Sequence, residues 1–457
     1  MMKYHYLILL LVFFSFYTHS QDSLVVKGIV LNKQTKDSIS NVNVKIKFDN
    51  QVVDIKSNSK GIFYFKVQTN KQYELGFTHQ VFMNTTDQLH EKSRKNLDTV
   101  KRVFEMLPIK INEIEVVTIR PEGVPEKIFT SEYVSVADFE VLPDGNYILL
   151  TYPKTLKKGS DVVLYDGRNI ISTIPIDDHA VELRKDFRGN PHVICEKSVY
   201  GIYISNAKIG IAKLEKEYFM KYLAPILDSN YTKYYLSDFN KDYPSMNYYS
   251  FDQLDSTYSK IVTITDDFMM ELYRAEYKWV DVRTKLWAKQ KEQETGIDAQ
   301  IWVGANYFTQ SVYYKQLYAP MFHRNDTLFI FDYYKDLMYR FDSYGKMIDS
   351  ISIYHHYFPK QTGWKKHLIQ DRVTGQIYAL FDVDGYFSIR RINLNSGELM
   401  ESIPLKYRYV DKIEIYDNAL YYIYRPFESV QKKYLYKEKI PIQLSKAKVL
   451  NGDLIQD

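Results

Sequence analysis

Cysteine is all but missing. Cys195 is the one thiol among 457 residues, so no intramolecular disulfide can form and stability has to come from a packed core. A chain of this length, 45% apolar, can bury one. Cys195 stands in the strand-like run His192-Val193-Ile194-Cys195, the setting of a packed small hydrophobe rather than a nucleophile. Neither sign of charge dominates, with 60 Lys and Arg against 56 Asp and Glu. That balance excludes the electrostatic footprint of a nucleic-acid binder. Doublets such as Lys157-Lys158, Lys365-Lys366 and Lys432-Lys433 read as solvated turn residues. Glycine-rich phosphate loops, a nucleophile elbow and a sialidase-type Asp box are also absent from the sequence, and nothing in it calls for a cofactor.

Long apolar runs are missing after the first residues, so no membrane span is expected in the mature chain. At the start, Lys3 and His5 precede an apolar run from Tyr6 to Phe14 that ends in Thr18-His19-Ser20-Gln21. Its length falls short of the roughly 20 residues of a membrane helix, and small Thr18 and Ser20 occupy the positions a signal peptidase reads. The pattern predicts a signal peptide over 1–20, cleaved after Ser20, and an exported protein that is periplasmic or associated with the outer membrane. No cysteine stands nearby to accept a lipid.

The mature chain is expected to be an all-β protein: a small immunoglobulin-like β-sandwich over 21–107, a linker over 108–128, a β-propeller over 129–445 and a tail over 446–457. Alternation is clearest in Val42-Asn43-Val44-Lys45-Ile46-Lys47-Phe48, as a half-buried strand requires. The turn Asn58-Ser59-Lys60-Gly61 then leads into Ile62-Phe63-Tyr64-Phe65, where Gly61 is expected at positive φ. With Gly28-Ile29-Val30, Ile39 to Val44 and Tyr73-Glu74-Leu75-Gly76-Phe77, this stretch of about 85 residues resembles the carboxypeptidase regulatory-like family of seven-stranded sandwiches. Ser38-Ile39 and Asn41-Val42 replace the usual pair before the third strand. The resemblance implies no peptidase activity, and no zinc-ligand spacing is present to supply one. Leu107 to Thr118 looks like the connector that comes after this sandwich in TonB-dependent outer-membrane transporters. The regular alternation of a lipid-facing barrel is missing beyond it. Pro121-Glu122-Gly123-Val124-Pro125 reads as the linker where pairing stops.

Beyond Phe129 a unit of strand, polar turn and aromatic strand recurs at about 45 to 50 residues, the length of a four-stranded propeller blade. Copies begin at Phe139, Met321, Leu368 and Ile413, which gives about six blades with one insertion; two stacked sandwiches are the alternative. The insertion, at about 265–296, is expected to be helical. Thr265 is its cap, and Leu272, Ala275, Trp279, Val282 and Leu286 form an apolar stripe packed on the propeller. Arg274, Lys278, Asp281 and Lys285 would then face solvent.

Several groups imitate chemistry. Asp382-Val383-Asp384-Gly385 starts like a calcium loop, but Asn393 stands where a bidentate Glu is needed, so it reads as a turn. Asp177-Asp178-His179 reads as a loop between blades. His79 and His90 lie far apart in an irregular stretch. His355 and His356, near His367, read as neighbours on a strand and so point to opposite faces. No catalytic, cofactor-binding or metal-binding residue is assigned. The 42 Tyr and 25 Phe favour blade packing, and doublets such as Tyr248-Tyr249, Tyr333-Tyr334 and Tyr421-Tyr422 are expected to leave one ring exposed.

These features favour a non-catalytic envelope protein that binds a protein or glycan partner through propeller loops. A propeller-based hydrolase or lyase is the alternative, and an accessory or sensory subunit of an outer-membrane transport system a third. Three or more Asp, Glu or His in one central funnel would favour the enzyme; a flat Tyr and Phe rim would favour binding.

Overall fold

The computed structural model describes residues 23–49, 51–92, 99–109, 123–429 and 431–441. The expected signal peptide, most of the connector and the C-terminal tail lie outside the described residues. Two compact units divide at Ile114 and Glu115.

The first unit contains β1 Ser23–Asn32, β2 Asn43–Phe48, β3 Gln51–Lys56, β4 Ile62–Gln68, β5 Gln72–His79, β6 Phe82–His90 and β7 Thr99–Met106. They form a sheet of order β4-β1-β7, whose β1–β7 pairing is parallel, and a sheet of order β3-β2-β5-β6. Alternating side chains meet between the sheets, where the Phe77 ring lies 6.1 Å from that of Phe63 and 4.8 Å from that of Phe104. Gly61 takes a φ of +69°, which lets Asn58 close the turn by accepting from Lys60 N and Ile62 N. His79 and His90 sit on β5 and β6 rather than in an irregular stretch, at opposite ends of that strand pair.

The second unit is a ring of six four-stranded antiparallel sheets, a β-propeller. Blades one to five span 135–176, 180–215, 226–265, 321–352 and 364–408. Blade six joins three strands within 411–439 to Glu126–Phe129, which pairs antiparallel with Tyr434–Lys439 and closes the ring. Pairing therefore resumes at Glu126, inside the stretch expected as linker.

Each blade is packed on both faces. Apolar clusters fill the interfaces between blades six and one, one and two, three and four, four and five, and five and six. Between blades two and three, Phe219 from the connecting segment packs with Ile194 and Val199. Second strands are accordingly buried without alternation in every blade but the third, as in Ala419-Leu420-Tyr421-Tyr422-Ile423. The tyrosine doublets therefore depart from expectation. Tyr421 and Tyr422 are both buried, and none of the six named rings is exposed, because each face of a blade meets a neighbour.

The helical insertion also differs from expectation. Three helices replace one: α1 Asp267–Glu276, α2 Val282–Thr295 and α3 Ala299–Tyr307. Asp266, not Thr265, caps α1 by accepting from Met269 N at 3.0 Å. The break at 277–281 resets the helical phase, because Asp281 caps α2 afresh by accepting from Thr284 N. Leu272 and Ala275 are half-buried, whereas Trp279, Val282 and Leu286 are exposed. Met269, Tyr273, Ala288, Ala299 and Val303 supply the buried contacts instead. Among the described residues, no helix is long and apolar enough to cross a membrane.

Candidate functional site

The first strands of all six blades surround one cavity of about 920 Å³, lined on blade one by Glu140 and on blade six by Lys412 to Tyr416. Blades two to five contribute, among others, Arg184, Lys185, Asp228, His323, Arg324 and His367, and Arg372 lies just past the first strand of blade five. A volume of this size suits a small molecule or the tip of a larger partner.

A charged network crosses blades one, two and six. Lys412 Nζ lies 2.5 Å from Asp138 Oδ1 and 3.1 Å from Glu414 Oε1, while Lys185 Nζ lies 2.6 Å from Glu140 Oε2. Asp138 Oδ2 also accepts from Leu183 N at 2.7 Å, tying blade one to blade two. Three carboxyls thus share two ammonium groups. Burial, then the nearby Glu140, pushes the Glu414 carboxyl up to about 7, against the pull of Lys412 and Lys185. Its side chain nonetheless keeps some accessible surface on the wall of the central cavity. Burial also raises Asp138, although Lys412 and two backbone N–H groups favour its charged form.

The raised Glu414 has a measurable consequence. As pH climbs from the ordinary carboxyl value of 4.5 towards 7, the unfolded chain releases this proton while the folded chain retains it, so stability falls across that window. Glu414→Gln, which never ionises, should be about 1–3 kcal/mol more stable than the parent at pH 8 and nearly equal to it at pH 4.5. Urea melts at the two pH values measure this, and a gain that is the same at both would refute the assignment.

Farther round the ring, His323 Nδ1 stands 3.9 Å from Asp228 Oδ2, beyond hydrogen-bond range. Burial raises the Asp228 carboxyl; Ser229 N, His323 and Arg372 oppose that rise. His323 Nε2 is buried with no hydrogen-bond partner among the described residues. His367 is pushed down by burial.

The groups singled out in the sequence do not meet here, His367 excepted. Asp178 belongs to the loop between blades one and two, where Ser198 Oγ and the N–H groups of His179, Lys197 and Ser198 hold its carboxyl down at about 2. Asp382 accepts from Gly385 N at 2.8 Å in a hairpin turn. His355 and His356 lie in the turn after blade four, not on a strand. Both rings enter one aromatic cluster with Tyr333 and Trp364, with His355 Nε2 2.9 Å from Tyr333 Oη and His356 Nε2 2.9 Å from Asp336 Oδ1. Cys195 is fully buried in the second strand of blade two, and burial pushes its thiol up to about 12.

Sequence reasoning passed over Asp138, Glu140, Lys412 and Glu414. Their signal was local: in the strands Ser135–Val141 and Asp411–Tyr416, charged residues two apart, Asp138 with Glu140 and Lys412 with Glu414, fall on one face. Only the closed ring shows that these two faces meet.

No protein-family model matches the chain, and no curated protein matches it. Among solved structures, the chain is similar to a luciferin-regenerating enzyme at 11% identity and a TM-score of 0.34, covering 69% of this chain and 95% of that one. It is similar to the calcium-binding protein regucalcin from Agrobacterium tumefaciens at 8% identity and 0.33, covering 72% and 98%. A member of the DUF4221 family from Bacteroides vulgatus is similar at 13% identity and 0.35, also covering 72% and 98%.

Proposed function

We propose that this is an exported, non-catalytic envelope protein, periplasmic or associated with the outer membrane, that holds an acidic protein or glycan at the mouth of its central cavity. One observation carries the reading. Arg184 and Arg372 are exposed on the cavity wall, and neither has a carboxylate oxygen within 4 Å among the described residues. Two unspent guanidinium forks suit the planar carboxylates of uronates or acidic peptides. Of the four carboxylates on the wall, Glu140 is engaged with Lys185 and Glu414 with Lys412, Asp186 accepts from Arg188 N and Asn190 N in its turn, and Asp228 lies in the field of His323 and Arg372. The first unit, with seven strands in two sheets, is read as a carboxypeptidase regulatory-like module that presents the propeller.

Immobilised polygalacturonate and poly-glutamate provide the test. The parent should bind at least one of them with affinity that falls as salt rises. Arg184→Gln with Arg372→Gln should weaken it by tenfold or more, the scale of one charge-assisted hydrogen bond. Binding that ignores both substitutions would overturn the reading.

The hydrolase or lyase alternative meets the condition set from the sequence, because Glu140, Asp186, Asp228, His323, His367 and Glu414, more than three acidic or histidine side chains, line this one central cavity. A carboxyl near 7 such as Glu414 could act as a general acid or base. Cleavage of the polygalacturonate, lost in Glu414→Gln, would transfer the assignment to that class. An accessory role beside an outer-membrane transporter rests on Leu107 to Thr118, of which only Leu107 to Ile109 lie within the described residues.

A further inference from the structure

A second cavity, of about 460 Å³, runs along the cleft between blades four and five. Its wall takes in every strand of blade four, from Arg324 through Thr327, Phe329 and Arg340 to Ile348, and reaches Arg391 and Met400 on blade five. Three guanidinium groups line it, and they differ in one respect. Arg340 is spent: both its Nε and one Nη meet the Asp349 carboxylate, and the other Nη donates to Asn395 Oδ1 at 3.3 Å. Arg391 offers only its Nε, to Met400 Sδ at 3.1 Å. Arg324 makes no side-chain hydrogen bond or ion pair among the described residues. Its stem is fixed nonetheless, lying so close over Gly375 that a Cβ there would stand 2.7 Å from Arg324 Cγ.

Both unpaired arginines are half-buried. A cation partly withdrawn from water with no counter-ion loses hydration without recovering it in a pair, so an arriving oxyanion would be favoured. The side-chain amides of Asn325, Gln376, Asn393 and Asn395 border the same space and add donors without adding negative charge. Among the described residues lining the cleft, no Asp or Glu opposes an anion.

We propose that this cleft is a binding site for a small oxyanion, a carboxylate, sulfate or phosphate group, held between Arg324 and Arg391. It shares Arg324 and Asn325 with the central cavity but does not depend on the partner assigned there. The shared chemistry has two sources, a sugar acid or an inorganic or ester oxyanion.

Calorimetric titration of the full chain with sodium glucuronate, sodium sulfate and sodium phosphate, at constant ionic strength, tests the site. At least one salt should bind saturably. Tighter glucuronate binding would identify the sugar acid as the source, and tighter sulfate or phosphate binding the other. Arg391→Gln should weaken that binding by tenfold or more, the loss expected for a charge-assisted contact. Arg391→Lys, which keeps the charge but loses the fork, should retain part of it and guards against a fold defect. Arg184→Gln, which alters only the central cavity, should leave unchanged the saturable component that Arg391→Gln removes, even where it weakens a separate glucuronate component at the central cavity. No saturable binding by any of the three salts, or binding that survives Arg391→Gln, overturns the proposal. Loss in Arg184→Gln alone would place the anion in the central cavity and also overturn it.

Discussion

Lys412→Met should lower the stability of the propeller by about 3–5 kcal/mol at pH 8, the cost of removing one member of a buried ionic group. The ammonium touches Asp138 and Glu414 and lies in the field of Glu140, so its loss leaves three carboxyls facing Lys185 alone. A methionine of similar length fills the space and isolates the electrostatic part of the change. Without Lys412 the folded carboxyls move further up, while those of the unfolded chain stay near their ordinary values. Stability of the variant is then lost as pH rises from about 4 through the raised folded values. Urea unfolding at pH 5 and pH 8 should therefore show a smaller deficit at pH 5. A deficit of equal size at both pH values would show that packing, not charge, holds this corner of the ring.

A comparable effect is expected in the helical insertion, where two aromatic residues six positions apart should behave in opposite ways. Tyr273 is fully buried, its ring lies 5.6 Å from that of Phe308, and its hydroxyl donates to the Asp242 carbonyl at 2.7 Å. Tyr273→Ala should cost about 3–5 kcal/mol, as large-to-small changes in a core do. Trp279 is 85% exposed, and Trp279→Ala should change stability by about 0.5 kcal/mol or less. Thermal melts of the two variants decide it: a large loss with Trp279→Ala would mean that α1 and α2 pack through the stripe read from the sequence.

That stripe shows where sequence reasoning stopped. Steps of three and four hold from Leu272 to Leu286 only if one helix is unbroken, and the Asp281 cap restarts the phase. The propeller was legible because its second strands are apolar on consecutive residues, as in Leu328 to Phe331 and Ile377 to Phe381, and because polar turns space them evenly. Blades two and three gave no such copy. The second strand of blade two opens on Pro191 and His192, and that of blade three is the polar, tyrosine-bearing Lys233–Ser237. The candidate site was harder to see than either. Its charged wall is drawn from strands more than 270 residues apart, and nothing local says that residue 138 will lie beside residue 412.

The strand that closes the ring imposes an order of events on biosynthesis. Glu126–Phe129 leaves the ribosome long before Tyr434–Lys439, the strand it must pair with, since about 300 residues separate them. At roughly 5–20 residues per second, its backbone waits about 15–60 s with no partner of its own. An unpaired strand edge held open for that long can recruit the wrong neighbour, a nascent blade or another chain. Folding yield should therefore depend on whatever shields this short segment during synthesis more than on the strength of any single blade.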